Sequence, residues 1–185
     1  MRDIMLDLET LSAGSNAVIV SISAVEFTLE TGGIGQEYHT GIHVLDQALD
    51  GGEISSDTLK WWKEQSKEAK ARLCDTESYP PYSVLEDLNT WILKLGHPVK
   101  DVRLWGNGAG FDNVILRNLY ARSKVNFVLP FRCDTDVRTL VSFADEVRSI
   151  PFTGIKHYGI DDCKHQIKMC HAAYKLFKGQ QDENS

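Results

Sequence analysis

Asp3-Ile4-Met5-Leu6-Asp7-Leu8-Glu9-Thr10 is the stretch on which the reading of this chain turns. Ile4, Leu6 and Leu8 alternate with Met5, Asp7 and Glu9, the period-two pattern of a half-buried strand. Side chains two apart on a strand share a face, so Asp7 and Glu9 leave the strand end in the same direction. Adjacent like charges are costly unless a cation or solvent compensates them. A divalent metal would resolve that repulsion.

Two later segments carry matching chemistry. Arg103-Leu104-Trp105-Gly106-Asn107-Gly108-Ala109-Gly110-Phe111-Asp112 runs from a strand through a glycine-rich turn into a helix bearing Val114, Ile115, Leu116 and Leu119. Asp112 thereby falls in the first helical turn, near the positive end of the helix dipole. His157-Tyr158-Gly159-Ile160-Asp161-Asp162 puts a histidine on a loop just before a helix that carries Asp162 in its first turn. Asp161 lies one residue earlier, about 100° round the helix, and reads as an N-terminal charge or cap rather than a ligand. Four carboxylates suit hard cations, and an imidazole, which titrates near neutral pH, suits proton transfer.

Plainer readings dispose of other patterns. Gly106-x-Gly108-x-Gly110 lacks the third glycine of a dinucleotide fingerprint and the acidic residue about 20 positions on, so no dinucleotide site is expected. Cys163, His165, Cys170 and His171 share a helix with spacings that fit no common zinc site. Core cysteines and surface histidines are the expectation. The four cysteines, Cys74, Cys133, Cys163 and Cys170, form no Cys-x-x-Cys pair and read as free thiols.

Taken in order, Asp7 and Glu9, then Asp112, then His157 five residues before Asp162, make the chain resemble the DEDD 3′-to-5′ exonucleases of the ribonuclease H-like superfamily, in the histidine-containing DEDDh subclass. It looks most like small phage-type exonucleases similar to exodeoxyribonuclease A and their bacterial exoribonuclease relatives. Those also carry a Trp-Trp helix after the third strand, as Thr58-Leu59-Lys60-Trp61-Trp62-Lys63-Glu64-Gln65-Ser66 does here. The resemblance implies an α/β fold, a mixed sheet in which an antiparallel meander is continued by parallel strands, flanked by helices. It implies two Mg²⁺ or Mn²⁺ ions: Asp7 bridging both, Glu9 and Asp162 completing the first, Asp112 holding the second partly through water, and His157 as general base. It also places Thr10 and Leu11 against the terminal nucleotide.

The substrate so implied is the 3′ end of a single-stranded nucleic acid, released as nucleoside 5′-monophosphates, with DNA placed first and RNA trimming second. A catalytically inactive binding module is the contrary reading, and the complete set of five residues speaks against it. A proofreading subunit would need a polymerase, for which the tail shows no docking segment. Trp61 and Trp62 are adjacent on a helix and cannot face the same way; core packing is favoured for the pair, with one left for a base or a homodimer interface. Trp61 and Phe111 are the candidates for substrate contact.

Length and composition fit this enzyme. The chain has 185 residues, 42% hydrophobic and 25% charged, as for one globular unit with a substantial core; residues 1–178 are read as one exonuclease domain and 179–185 as a frayed polar tail. No apolar run approaches the ~18 residues of a membrane span, and the N-terminus is unlike a signal peptide, so a cytoplasmic protein without a membrane partner is expected. The net charge of -6 is unevenly spread: residues 1–59 hold ten acidic side chains against Arg2 alone, and the remainder 19 basic against 16 acidic. An acidic metal cradle faced by basic groups of the second part suits a phosphate backbone.

Periodicity predicts strands at Ile4–Leu8, Val18–Phe27, Tyr38–His43 and Leu104–Gly106. It predicts helices at Thr58–Lys63, Ser66–Leu73, Val84–Leu95, Asn113–Ala121, Asp134–Phe143 and Ile160–Phe177. In the last, Ile160, Cys163, Ile167, Cys170, Tyr174 and Phe177 form a stripe expected to pack on the sheet.

Overall fold

The computed structural model describes residues 2–182. Three long strands open it, β1 (Arg2–Thr10), β2 (Ile19–Thr28) and β3 (Gly33–Ile42). Helices α1 (Val44–Leu49), α2 (Ser56–Glu64) and α3 (Lys67–Asp75) follow, then the two-residue β4 (Ser78–Tyr79) and α4 (Pro81–Lys94). The second half holds β5 (Val102–Gly106), α5 (Asp112–Arg122), β6 (Asp134–Asp136), α6 (Val137–Val141) and α7 (Gly159–Asp182). The sheet order is β4-β3-β2-β1-β5-β6. β1, β2 and β3 pair antiparallel, while β5 runs parallel to β1 and β6 parallel to β5, which is the expected mixed sheet.

Because β1 lies inside the sheet with helices on both faces, it is covered on both. Ile4, Leu6 and Leu8 enter a core with α4 and α5, while Met5 enters a second core with α6 and α7. The half-buried pattern therefore needs correcting: Met5 is wholly buried, as interior strands covered by helices on both sides are. Asp3, on the Met5 face, is also buried. It accepts two bonds from Arg103, at 2.5 and 2.9 Å, one from the Trp105 indole at 2.7 Å and one from the Leu29 amide at 3.2 Å, which satisfies a charge that would otherwise be expensive inside.

Three predicted elements change. The helix expected over Asp134–Phe143 begins as a strand: Asp134–Asp136 pairs with β5, and Asp136 then caps α6 by accepting the Thr139 amide at 2.6 Å. Three residues are too few to display a period. The stripe on α7 is buried from Ile160 to Cys170, but Tyr174 is half-buried and Phe177 is exposed, since a 24-residue helix of about 36 Å outruns the sheet. The helix continues through Asp182 into the expected tail, whose residues 183–185 lie outside the described residues. Core packing of both tryptophans holds only for Trp62, 6% exposed, whose indole donates to the Thr10 carbonyl at 2.9 Å; Trp61 is 42% exposed. All four cysteines are free, and three are buried. Among the described residues no helix is long and apolar enough to cross a membrane.

Candidate active site

The pairing of β1 with β5 ends at Leu6 opposite Gly106, so Asp7 and Glu9 continue past the carboxyl end of the parallel strand. The chain turns there through Asn107–Phe111 into α5. Asp112, at the start of that helix, supplies what β5 no longer does: its Oδ1 accepts the Leu8 backbone N–H at 3.3 Å. From the other side α7 crosses β1 and β2 at close range. Gly159 permits this, because a side chain there would run into Ser23 and reach Asp7.

These approaches converge on one cleft of about 360 Å³. Asp7, Glu9, Asp112, His157 and Asp162 all line it, with Trp61 and Phe111, and so do Leu8, Asn107, Arg138 and Gln166. Carboxylate oxygens of Asp7, Glu9 and Asp162 lie within 4.8 Å of one another. Thr10 is buried beside this group and lines an adjoining cavity of about 290 Å³ with Ser12, Thr58 and Trp62. Leu11 lines neither; its backbone pairs with Val18 and Ser55. Asp161 stays out of the group, its carboxylate accepting the Ile155 amide at 2.8 Å to close the loop before α7.

Burial first, then the charges of Glu9, Asp112 and Asp162, push the Asp7 carboxyl well above its ordinary value. Glu9 is pushed up to about 8 by burial and by Asp162 and Asp112. Asp112 rises to about 7 through burial, although backbone donors and Arg138 pull the other way, and burial takes Asp162 to about 6. Four carboxyls displaced upward together form a site in which burial and mutual repulsion outweigh the positive charge that Arg138 and Lys156 bring. Asp162 Oδ2 is buried without a hydrogen-bond partner, an acceptor with nothing to accept from. Together with the all-oxygen donor set, that fits a hard divalent cation.

His157 sits at the cleft edge with φ 65, a conformation few non-glycine residues adopt. Its ring stands edge-on to Trp61, centroids 4.9 Å apart. Burial, then the neighbouring Lys156, lowers its pKa, which keeps the imidazole neutral and able to take a proton near pH 7.

Leu8, Asn107, Arg138 and Gln166 were not read from the sequence as site residues, and two of them carry chemistry. Gln166 is buried on α7, and its amide donates to Asp7 Oδ1 at 3.0 Å; the signal was available, since it lies four residues after Asp162 on the same helix face. Arg138 comes from α6, whose distance from the motifs in sequence gives no warning of it.

Over residues 2–174 the sequence matches the family described as Rv2179c-like, the 3′-5′ exoribonuclease Rv2179c-like domain. No curated protein sequence matches. Among solved structures, the nuclease domain of 3′hExo, a DEDDh family member bound to rAMP, is similar with a TM-score of 0.65 at 14% identity, over 96% of this chain and 92% of that one. A 3′-exonuclease in a study of histone mRNA stem-loop recognition gives 0.62 at 13%, over 96% and 82%. E. coli exonuclease I in complex with a dT13 oligonucleotide gives 0.63 at 13%, over 96% of this chain and 42% of its own length. At such identities these likenesses speak for the fold. With the family match over nearly its whole length, the chain belongs to the Rv2179c-like family of 3′-to-5′ exonucleases, built on the ribonuclease H-like fold of the DEDDh enzymes.

Proposed function

We propose that this chain removes nucleotides one at a time from the 3′ end of single-stranded RNA, releasing nucleoside 5′-monophosphates, with single-stranded DNA as the second substrate. The observation that carries the chemistry is the cluster of Asp7, Glu9 and Asp162, their oxygens within 4.8 Å, on one cleft with Asp112 and His157. The family description, an exoribonuclease, is what supports naming RNA first, where the sequence suggested DNA.

Asp7, Glu9, Asp162 and Asp112 would hold two Mg²⁺ or Mn²⁺ ions, which supply Lewis acidity to the attacking water and the leaving oxygen. His157 takes the proton of that water. The oxygen–phosphorus bond forms as the bond from phosphorus to the 3′ oxygen of the penultimate nucleotide breaks, and that oxygen takes a proton from solvent to become the new 3′-hydroxyl. Gln166 holds the Asp7 carboxylate. The terminal nucleoside occupies the cavity beyond Glu9, with Trp61 and Phe111 as walls and Thr10 at its floor.

The test is release from matched RNA and DNA oligonucleotides labelled at either end. Mononucleotides should leave the 3′ end first, faster from RNA, and only with Mg²⁺ or Mn²⁺. Full activity in excess EDTA, or cutting of a closed circular strand, overturns the assignment; faster release from DNA reverses the substrate order.

A further inference from the structure

Arg138 is the one permanently positive side chain among the described residues that line the catalytic cleft. An arginine with a purely structural role normally takes a carboxylate or carbonyl partner in a well-formed fork. Arg138 forms no ion pair among the described residues, and its hydrogen bond to Asn107 is a long one, 3.4 Å from Nε to Oδ1. Its guanidinium lies against the turn at Gly108, whose φ of 108 and missing side chain leave room for it: a Cβ there would stand 3.3 Å from Arg138 Cζ. The fork is thus exposed, positioned by the turn and aimed at a cleft whose other charges are acidic. Its field is felt at Asp112, where it lowers the carboxyl against the effect of burial.

Its place in the cleft says which part of a substrate it meets. The cavity assigned to the terminal nucleoside shares Leu8, Glu9, Trp61 and Phe111 with the catalytic cleft and extends from them toward Thr10 and Thr58. Glu9 borders both spaces, whereas Arg138 and Asn107 border the catalytic cleft alone, as Asp7, Asp112 and Asp162 do, and of those carboxylates Arg138 acts on Asp112. A strand whose last nucleoside fills the cavity, and whose scissile phosphate sits at the carboxylates, leaves past Arg138. Resting on the exonuclease reading above, we propose that Arg138 grips the phosphate immediately upstream of the scissile one, the 5′ phosphate of the nucleotide that becomes the new 3′ end.

Two dinucleotides test this. ApA contains only the scissile phosphate; pApA adds the upstream one. A charge-assisted bond to a phosphate should make kcat/KM for pApA exceed that for ApA by roughly tenfold to a hundredfold in the wild-type enzyme. In Arg138→Gln that ratio should fall toward one, and Arg138→Lys should keep part of it. Binding of a longer single strand should also lose about 0.7 from the slope of log affinity against log salt, the share of one phosphate contact. The melting temperature of Arg138→Gln should match wild type, as for an exposed side chain. A ratio unchanged in Arg138→Gln overturns the proposal, and so does an equal loss on both dinucleotides, which would put the guanidinium on the scissile phosphate. Failure of the wild-type enzyme to cleave any single strand overturns the exonuclease reading itself, a different result from either.

Discussion

Replacing Glu9 by Gln should make the metal-free protein more stable, and only at high pH. The Glu9 carboxyl is carried from an ordinary 4.5 to about 8 by burial, then by Asp162 and Asp112. An acid whose folded pKa is raised holds its proton more tightly in the folded chain, so it costs nothing below pH 4.5, and its cost grows as pH rises toward 8 and then levels off. At about 1.4 kcal/mol per pH unit, the full cost at pH 8 is on the order of 5 kcal/mol. The glutamine amide keeps the shape and cannot ionise. Water entering the open cleft relieves part of the burial, so a gain of about 1–3 kcal/mol is expected. For a chain of this length that is a rise in melting temperature of roughly 3–10 °C. Thermal unfolding in EDTA at pH 8 and at pH 4.5 measures it, with a gain at the first and none at the second. Saturating Mg²⁺ should raise the wild-type melting temperature by mass action and raise that of Glu9→Gln less. A variant less stable than wild type at pH 8 in EDTA, or equally stabilised at both pH values, would refute the reasoning, because Glu9 would then be satisfying the fold rather than waiting for a cation.

His157→Ala should lower kcat by roughly 10²- to 10⁴-fold while oligonucleotide binding in Ca²⁺ persists; near wild-type turnover would leave the histidine a structural role. With its pKa lowered by burial and Lys156, the base form survives below pH 6.5. At saturating metal the acid limb of the pH-rate profile should therefore fall below that value in wild type and be missing from His157→Ala. Trp61→Ala should raise KM by roughly fivefold to a hundredfold, the scale of one lost base stack, and move kcat less; an unchanged KM would assign the exposed indole to holding His157 alone.

What the sequence disclosed and what it hid divide along a physical line. Asp7 and Glu9 were legible because a strand fixes the direction of alternate side chains, and Asp112 and Asp162 because each opens a helix whose apolar spacing is plain. Local geometry aims these groups, so local pattern reveals them. Met5 was misjudged because alternation records polarity rather than coverage, and only the presence of α6 and α7 on that face decides it. β4 and β6, at two and three residues, exist by virtue of the neighbours that they pair with and have no period of their own. Arg138 was hidden for the same reason, since nothing around it in the chain forecasts that β6 would carry α6 to the rim of the cleft. Of the two tryptophans, Trp62 owes its burial to a bond to the Thr10 carbonyl 52 residues away, and that contact turns Trp61 outward beside His157. The proposed catalytic set is thus written in segments that determine their own geometry. The residues that would position and hold a strand depend on long-range packing, and it is there that the structure adds to the sequence.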